Sequence, residues 1–363
     1  MNTPSSPGTD WTLRHAWSSE TDRAALRVAA DELARQGIRF ADAAAGATAN
    51  AVKMHGFELV EAVRGAAPAP IDLGATAAAE RWSERLDPRV WRFMTHGAAI
   101  CGIPVALHQS NGLWAHGAIV DAVPAGGGLA DWLANAAHIV AKPLAIGADP
   151  WQVGLLFESV ALGVLGAAGY EQALVAQDPA ALAGPGMVRV LDELLRLREH
   201  VDDGQLAQPW RTQFARVAER RAGVIVMGDW VGAALPGAMR RLRVDGFRDE
   251  CVFVADFFVP VVDGAQSLSA RVAKTLTGAD FQARFAMTKG CQPPLLAAQS
   301  PFANTPTRID APSLTLDQCC GLRRKQALLA IAADHFVHRR DSARTARLLA
   351  DAAEGSGASV FSV

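Results

Sequence analysis

The chain has 363 residues, of which 50 % are hydrophobic and 20 % are charged, and its formal net charge at pH 7 is −2. This length exceeds one average domain and predicts either one large or two medium domains with a substantial core. A net charge so close to zero provides no basic field, which excludes the electrostatic attraction that proteins binding nucleic acid or anionic lipid depend on.

Short apolar segments alternate with helical patterns along the chain, which predicts an α/β protein with parallel strands. The segments predicted as strands are residues 11–17, 38–40, 103–107, 142–146, 224–227 and 252–259. The segments predicted as helices are residues 21–36, 50–63, 129–140, 152–165, 187–201, 213–221, 270–287, 322–338 and 342–353. Clusters of glycine and proline separate many of these segments, as is usual for loops.

The sequence contains no clear membrane segment or export signal. No apolar run reaches the roughly 18 residues that a spanning helix needs, and the run at residues 153–168 is interrupted by Glu158 and by glycines. Residues 1–10 are polar, and we expect a flexible tail there that lacks the basic and apolar regions of a signal peptide. Either this is a mature chain that has lost its leader, or the protein is not exported.

The cysteines do not form a metal-binding pattern. They are Cys101, Cys251, Cys291, Cys319 and Cys320. No C-x₂-C pair and no H-E-x-x-H motif occurs, so we expect no metal site. Cys291 and the vicinal pair lie near the two ends of one Pro-rich segment, which predicts a disulfide from Cys291 to Cys319 or Cys320 in an exported protein. In a cytosolic protein the same thiols would stay reduced.

The most informative stretch is the buried strand Val224–Met227, which is followed by Gly228, Asp229 and Trp230. Open α/β sheets bind their ligands at the carboxyl ends of strands. A carboxylate accepts hydrogen bonds from sugar hydroxyls, and an indole covers the C–H face of a sugar ring. The alternative is a turn in which Asp229 caps the next helix and Trp230 fills the core.

Other strand ends carry the same chemistry. The additional candidates are Trp17, His108, Asn111, Trp114, Trp151, Gln152 and Asp256, with Lys289 on a later loop. Isolated tryptophans are mostly core residues, and we expect this of Trp82, Trp91, Trp132 and Trp210. Asp256 interrupts the apolar run at residues 252–259, where a carboxylate needs partners because its burial costs several kcal/mol. A glycosidase would need two facing carboxylates, and the sequence does not show whether Asp229 and Asp256 face each other.

Several segments resemble, in the right order, the extracellular solute-binding proteins of ABC sugar importers, specifically their glucose/mannose-binding branch. The segment IPVALHQSNGLW (residues 103–114) resembles the family's Pro-Val-x-x-His-Arg-x-Asn-x-Leu-Trp. The segment PLAIGADPWQVGLLFE (residues 143–158) is similar to its Pro-Leu-Ala-x-Gly-Gly-x-x-Trp-Gln…Phe-Glu. Residues 17–20, 66–72, 226–230 and 289–291 match its Trp-Trp-Thr-x-x-x-Glu, Gly-x-Pro-Pro-Asp, Met-Gly-Asp-Trp and Lys-Gly-Ser motifs more loosely.

The resemblance implies a two-lobe periplasmic-binding-protein (type II) fold with a hinge and an interlobe cleft. Lobe one is expected at residues 11–118 and 245–294, and lobe two at residues 119–244 and 295–363. The implied function is the reversible capture of a small carbohydrate for ABC transporter permease subunits in the periplasm, by a monomer without cofactor or catalysis. The implied ligand-binding residues are Trp17, Glu20, His108, Asn111, Trp151, Gln152, Asp229, Trp230, Asp256, Lys289 and His338, with Asp22 as the alternative to Glu20.

The departures from the family pattern predict a ligand other than plain glucose. Ala16, Ala106 and Gln109 stand where the family has larger or charged groups, whereas Lys289 remains and would accept a carboxylate or an extra hydroxyl. Two other functions stay open. One is a leaderless cytoplasmic sensor with the same lobes, which the presence of an export signal in the gene would exclude. The other is a glycan-acting enzyme, for which turnover of a chromogenic glycoside would be the evidence.

Overall fold

The structure is a computed structural model that describes residues 10–15, 17, 19–43, 49–54, 70–96, 99–124, 126–234, 237–245, 247, 250–261, 266–298, 309–313 and 322–355. Its strands are β1 (Asp10–Arg14), β2 (Arg39–Ala43), β3 (Ala51–Met54), β4 (Thr95–His96), β5 (Ala99–Ile100), β6 (Ile103–Gln109), β7 (Gly112–His116), β8 (Leu144–Ala145), β9 (Val224–Met227), β10 (Met239–Leu242), β11 (Glu250–Pro260) and β12 (Ile309–Pro312).

The α-helices are α1 (Glu20–Arg35), α2 (Gly74–Ala79), α3 (Trp82–Arg85), α4 (Pro88–Trp91), α5 (Gly117–Ala122), α6 (Leu129–Ala136), α7 (Pro150–Tyr170), α8 (Pro179–Leu182), α9 (Pro185–Arg198), α10 (Trp210–Ala218), α11 (Gln266–Leu276), α12 (Ala279–Lys289), α13 (Leu322–His338) and α14 (Ser342–Glu354). A π-helical turn follows α7 at Glu171–Val175, and 3₁₀ turns occupy Asp203–Gln205 and Asp229–Ala234.

Two sheets organise the chain. The first has six strands in the order β12-β11-β3-β1-β2, and β6 also pairs with the long strand β11. The second has four strands in the order β10-β7-β9-β8. Both are mixed sheets, because β11 runs antiparallel to β3 and β6, and β7 runs antiparallel to β9 and β10. The predicted parallel arrangement is therefore found only in part, in the pairs β1–β2, β1–β3, β11–β12 and β8–β9.

Each sheet has its own hydrophobic core, and we call the two units lobe one and lobe two. Lobe one, on the six-stranded sheet, buries Trp11, Leu33 and Phe257 in one cluster. Helix α1 shows how the sequence builds this core. Ser19 and Asp22 form a capping box at its start, and its buried residues Ala25, Leu26, Ala29 and Leu33 fall on one face at helical spacing.

Lobe two packs its helices around the four-stranded sheet. Its core joins Trp132 of α6, Phe157 of α7, Leu191 of α9 and Phe336 of α13. The segment Pro150–Val175, which contains α7, is long and apolar enough to cross a membrane by composition alone, but 56 % of its most apolar window is buried inside the protein. This segment is therefore explained as the core helix of lobe two.

The chain passes between the lobes at residues 110–111, between β10 and β11, and again after β12. The predicted boundaries differ from this. Strand β7 belongs to the sheet of lobe two although it precedes residue 118, and β12 joins the sheet of lobe one although it follows residue 294. The three crossings fix the position of the cleft between the sheets.

Two predicted helices differ from the structure. The helix predicted at residues 50–63 begins as strand β3, which pairs with β1 and β11, and residues 55–69 lie outside the described part. The helix predicted at residues 270–287 is interrupted, because α11 ends at Leu276 and Gly278 is the N-cap of α12. The expected tail at residues 1–10 lies outside the description except for Asp10, which begins β1.

Candidate functional site

A cavity of about 350 Å³ lies between the two lobes, which is within the usual range of small-molecule sites. Its lobe-one wall comes from the start of α1, the strands β6 and β11, and the end of α12. Its lobe-two wall comes from the starts of α7 and α10 and from the turn after β9. The lining residues are Trp17, Ser19, Asp22, His108, Ser110, Val254, Asp256 and Lys289 on one side, and Trp151, Leu155, Trp210, Arg211, Gly228 and Trp230 on the other.

Indole rings stand on both walls of the cavity. On lobe two, Trp230 and Trp210 meet edge to face, with ring centroids 5.0 Å apart and an interplanar angle of 90°. Trp151 is 36 % exposed on the same wall. On lobe one, Trp17 packs against Phe258 and Phe285 with centroid distances of 5.9 and 6.2 Å. These contacts hold Trp17, Trp210 and Trp230 in place before a ligand arrives.

Trp210 was expected to be a core residue, but the structure places it on the wall of the cavity. It lines the cavity together with Arg211, whose guanidinium carbon lies 5.2 Å from the centre of the Trp210 ring. A signal was present in the sequence: Pro150-Trp151 and Pro209-Trp210 are the same dipeptide, and each pair begins a helix. Proline is favoured at helix starts, so a repeated Pro-Trp marks two helix starts that present an indole at the cleft.

Gly228 lets Trp230 fold back over the end of β9. A Cβ at this position would lie 2.5 Å from Nε1 and 2.6 Å from Cδ1 of Trp230. Any larger residue would therefore push the indole away from its place.

At the floor of the cavity, His108 joins carboxylates from the two lobes. Its Nδ1 lies 2.8 Å from Oδ1 of Asp229, which follows β9 in lobe two. Its Nε2 lies 3.2 Å from Oδ2 of Asp256, on β11 in lobe one. The other oxygen of Asp229 accepts the backbone N–H of Gln109 at 2.9 Å. Asp229 thus lies behind His108 rather than on the cavity surface.

These contacts determine the charge of His108. Burial acts against protonation, but the charges and hydrogen bonds of Asp229 and Asp256 outweigh it and raise the pKa of His108 from 6.5 to about 9. At neutral pH the ring is therefore an imidazolium, and both of its N–H groups donate to carboxylates.

A second ion pair lies beside Trp17. The Lys289 ammonium, at the end of α12, binds Oδ1 of Asp22 in the first turn of α1. The Nζ atom also lies 4.4 Å from the centre of the Trp17 ring, a cation–π contact. Burial acts to raise the pKa of the Asp22 carboxyl, but Lys289 and Ser19 outweigh burial and lower it. The sequence offered Asp22 only as the alternative to Glu20.

Two predicted ligand residues are used to hold the backbone. Asn111 is fully buried at the first crossing, where its Oδ1 accepts from Val252 N at 3.0 Å and its Nδ2 donates to Glu250 O at 3.2 Å. Gln152 is buried in the first turn of α7, and its Oε1 accepts from Gly147 N at 3.1 Å. Neither side chain lines the cavity, so both predicted roles are corrected.

Glu20 and His338 also lie away from the cavity. Glu20 is exposed at the first residue of α1. His338 is at the end of α13, where its side chain is 57 % exposed and its Nε2 lies 3.8 Å from Asp334 Oδ1. The structure therefore brings together Trp17, His108, Trp151, Trp230, Asp256 and Lys289 and places Asp229 directly behind them, whereas the other four predicted residues do not line the cavity.

Among the described residues, no cluster of three or more His, Cys, Asp or Glu side chains has the arrangement of a metal site. The predicted partners of Cys291 in a disulfide, Cys319 and Cys320, lie outside the described residues.

Comparison with known proteins gives a consistent result, although no protein-family model matches the chain. A probable sugar-binding periplasmic protein of Rhizobium meliloti strain 1021 is 27 % identical over 339 residues, which covers 84 % of this chain and 78 % of that protein. A protein of the same description from Brucella suis biovar 1 is 26 % identical over 339 residues, covering 84 % and 76 %.

Solved structures share the architecture at lower identity. The bacterial solute receptor AcbH, described as having an exclusive preference for β-D-galactopyranose, superposes with a TM-score of 0.79 at 14 % identity and covers 96 % of this chain and 98 % of its own. The maltose-maltodextrin binding protein of Alicyclobacillus acidocaldarius gives 0.69 at 14 % identity, covering 95 % and 100 %. The chain has the fold of these receptors. The predicted two-lobe architecture is thus confirmed.

Proposed function

We propose that this protein is the substrate-binding component of an ABC sugar importer and captures a small neutral carbohydrate between its lobes. One observation carries the proposal: the interlobe cavity has indole walls on both sides and a floor of fixed charged groups. The relatives named as sugar-binding periplasmic proteins and the sugar receptors of the same fold support it.

The cavity suits a sugar for physical reasons. A pyranose has a face of C–H groups that packs on an indole and a rim of hydroxyls that needs hydrogen bonds. Trp17 and Trp230 offer stacking surfaces on opposite lobes, and Asp256 and Ser110 offer polar atoms at the floor. Hydrogen bonds to ionised groups are about twice as strong as neutral ones. Closing the lobes over the ligand would remove water from these bonds.

Two of the three described cationic side chains that line the cavity are paired with carboxylates, which favours a neutral ligand; the third, Arg211, packs on the ring of Trp210. The Lys289 ammonium is paired with Asp22, and the His108 imidazolium is paired with Asp229 and Asp256. A sugar acid would have to compete with these carboxylates for the same cations, and breaking a buried ion pair is strongly destabilising. We therefore set aside the expectation from the sequence that Lys289 accepts a ligand carboxylate.

The expectation of a ligand other than glucose rested on Ala16, Ala106 and Gln109, and the structure does not place these residues on the cavity wall. Ala106 is fully buried in the core of lobe one, and the Gln109 side chain donates to Asn111 Oδ1 and Glu250 O at 3.1 and 3.3 Å. Neither residue lines the cavity, and Ala16 lies outside the described residues. The cavity is lined instead by Asp22, which the sequence offered as the alternative to Glu20, and by Trp210 and Arg211, which the sequence did not indicate. The glucose/mannose branch and the exclusion of glucose both remain proposals.

The proposal includes a place and a partner. A receptor of this kind works in the periplasm as a monomer and delivers its sugar to the permease subunits of the importer. A cytoplasmic sensor would use the same cleft, and the two are distinguished by export of the full-length gene product and by neighbouring permease genes.

The glycosidase alternative is not favoured by the geometry. Glycoside cleavage needs one protonated carboxylic acid at the scissile bond. Asp229 accepts hydrogen bonds at both of its oxygens, and Asp256 accepts from the same imidazolium. Turnover of a chromogenic glycoside that Asp229→Asn abolishes would overturn this part of the proposal.

Intrinsic fluorescence provides the test of function, because four of the nine tryptophans line the cavity. The protein is titrated with neutral mono- and disaccharides, including glucose, mannose, galactose, xylose and maltose. A saturable spectral change with at least one of them, reduced in Trp17→Ala, is the expected result. No change with any sugar in the panel would contradict the proposal.

A further inference from the structure

His108 bridges the two lobes at the floor of the cavity. The ring belongs to β6 of lobe one, one residue before the end of that strand, and it is 5 % exposed. Its two nitrogens reach carboxylates of opposite lobes, at 2.8 Å to Asp229 and 3.2 Å to Asp256. No other described histidine lines this cavity.

The geometry points to His108 as a positioning residue that fastens lobe two to lobe one through its charge, and not as a hydrogen-bond donor to the sugar. Both N–H groups are already used by carboxylates, so the ring has no donor left for a hydroxyl. What it supplies is a positive charge between two negative charges that would otherwise repel each other across the cleft. This inference concerns regulation of the proposed sugar site and in that sense rests on the proposed function.

The surroundings support a link to closure. The turn Asp229–Ala234, which carries Asp229 and Trp230, contacts α1 and α12 of lobe one. Asp229 therefore holds one end of the same turn that presents Trp230 to the ligand. Losing the charge of His108 would loosen the closed arrangement and the indole wall together.

Other titratable groups surround His108 and its two carboxylate partners. Lys289 and Asp22 line the same cavity and are paired with each other. Arg241 on β10 interacts electrostatically with Asp229, and burial lowers its pKa. The Cys291 thiol lies near Asp229, Asp256 and Lys289, and burial, with those carboxylates, raises its pKa well above its ordinary value. The thiol therefore stays neutral across the range in which His108 titrates.

Closure should consequently weaken as His108 loses its proton. Burial acts against protonation, but the two carboxylates raise the pKa of His108 to about 9, so the ring is charged at pH 7.5 and mostly neutral at pH 10. At the higher pH one ring nitrogen presents a lone pair to a carboxylate, and Asp229 and Asp256 face each other across a neutral ring.

Two measurements on the whole chain test the inference without a ligand. Nuclear magnetic resonance of ¹⁵N-histidine-labelled protein follows the imidazole resonances, and His108→Gln identifies the one that belongs to His108. We expect both ring nitrogens to be protonated at pH 7.5, with a midpoint near 9 that falls by more than about one pH unit in Asp229→Asn. A His108 resonance that titrates at or below pH 6.5 overturns the inference.

Small-angle scattering then measures the separation of the lobes. The radius of gyration of the wild type should rise between pH 7.5 and pH 10, whereas that of His108→Gln should not change over this range. His338→Gln, which alters an exposed histidine far from the cleft, is the matched control and should behave as the wild type. Equal pH dependence in the wild type and His108→Gln would contradict the inference. If His108→Gln does not fold, Asp229→Asn takes its place, with the same expected loss of pH dependence.

For any sugar found to bind, the affinity of the wild type should fall by about tenfold or more over this pH range, since one charge-assisted contact is lost. In His108→Gln it should fall by less than about twofold. The two proposals fail separately. Absence of sugar binding with the titration and scattering changes intact would contradict only the function, and sugar binding with no scattering change would contradict only the role of His108.

Discussion

Removal of the Trp230 ring should weaken sugar binding by a calculable amount. A buried tryptophan covers about 150–250 Å², so a sugar stacked on one face removes about 50–100 Å² of apolar surface from water. At about 25 cal/mol per Å² this contributes about 1.3–2.5 kcal/mol. Trp230→Ala should therefore raise the dissociation constant by about 8- to 70-fold.

Calorimetric titration of the wild type and the variant measures this difference directly. Trp91→Ala is the matched control, because Trp91 packs against the core of lobe one and does not line the cavity. Gly228→Ala should give an intermediate loss, since its new methyl group displaces the indole without removing it. Thermal unfolding shows whether each variant is folded. If folded Trp230→Ala binds as tightly as folded Trp91→Ala, Trp230 does not stack on the ligand.

Other predictions follow from the same contacts. Between pH 6.5 and pH 10 the free energy of unfolding of the wild type should fall by about 3 kcal/mol more than that of His108→Gln. The raised pKa of His108, about 9, gives its full stabilisation below pH 6.5, and this stabilisation is lost as the pH rises through 9. Equal slopes of unfolding free energy against pH, measured by urea titration, would contradict the prediction. Asp22→Asn should lower the free energy of unfolding by about 3–5 kcal/mol, because it leaves Lys289 buried and unpaired. The double variant that also carries Lys289→Met should recover part of this loss. Additive losses in the two single variants and the double variant would refute the pairing.

Part of the site was predictable because the residues that form it follow buried strands. The run Val224–Met227 reads as a buried strand without further information, and the carboxyl end of such a strand is where an α/β sheet meets its ligand. His108 and Asp256 lie on two neighbouring strands of one sheet, so their proximity also follows from local pattern and strand pairing. The pairing of His108 with Asp229 could not be predicted in this way, because it depends on how the two sheets are placed relative to each other.

The features that the sequence did not reveal depend on contacts between distant parts of the chain. Asp22 and Lys289 are 267 residues apart in sequence, and no local pattern indicates that they pair. Trp210 looks like any core tryptophan until α10 is placed with its first turn at the cleft. Asn111 and Gln152 were mistaken for ligand contacts because polar side chains at strand ends serve equally well to satisfy buried backbone groups.

Strand β3 was mistaken for a helix for a related reason. A segment of four residues carries too little periodicity to separate strand from helix, and pairing with β1 and β11 on either side decides its conformation. The predicted lobe boundaries differ from the two sheets because β7 and β12 were not predicted as strands, and the sequence does not indicate which sheet each of them joins.

The most direct test of neutral-sugar capture is calorimetry with matched neutral and acidic sugars. Galactose is compared with galacturonate, and glucose with glucuronate, at pH 7.5 and physiological salt. We predict saturable binding of at least one neutral sugar with one site per chain, and binding of its acid that is weaker by at least about tenfold, because the Lys289 and His108 cations are already paired. Tighter binding of an acid than of its neutral counterpart, or no binding of any neutral sugar, would contradict this function.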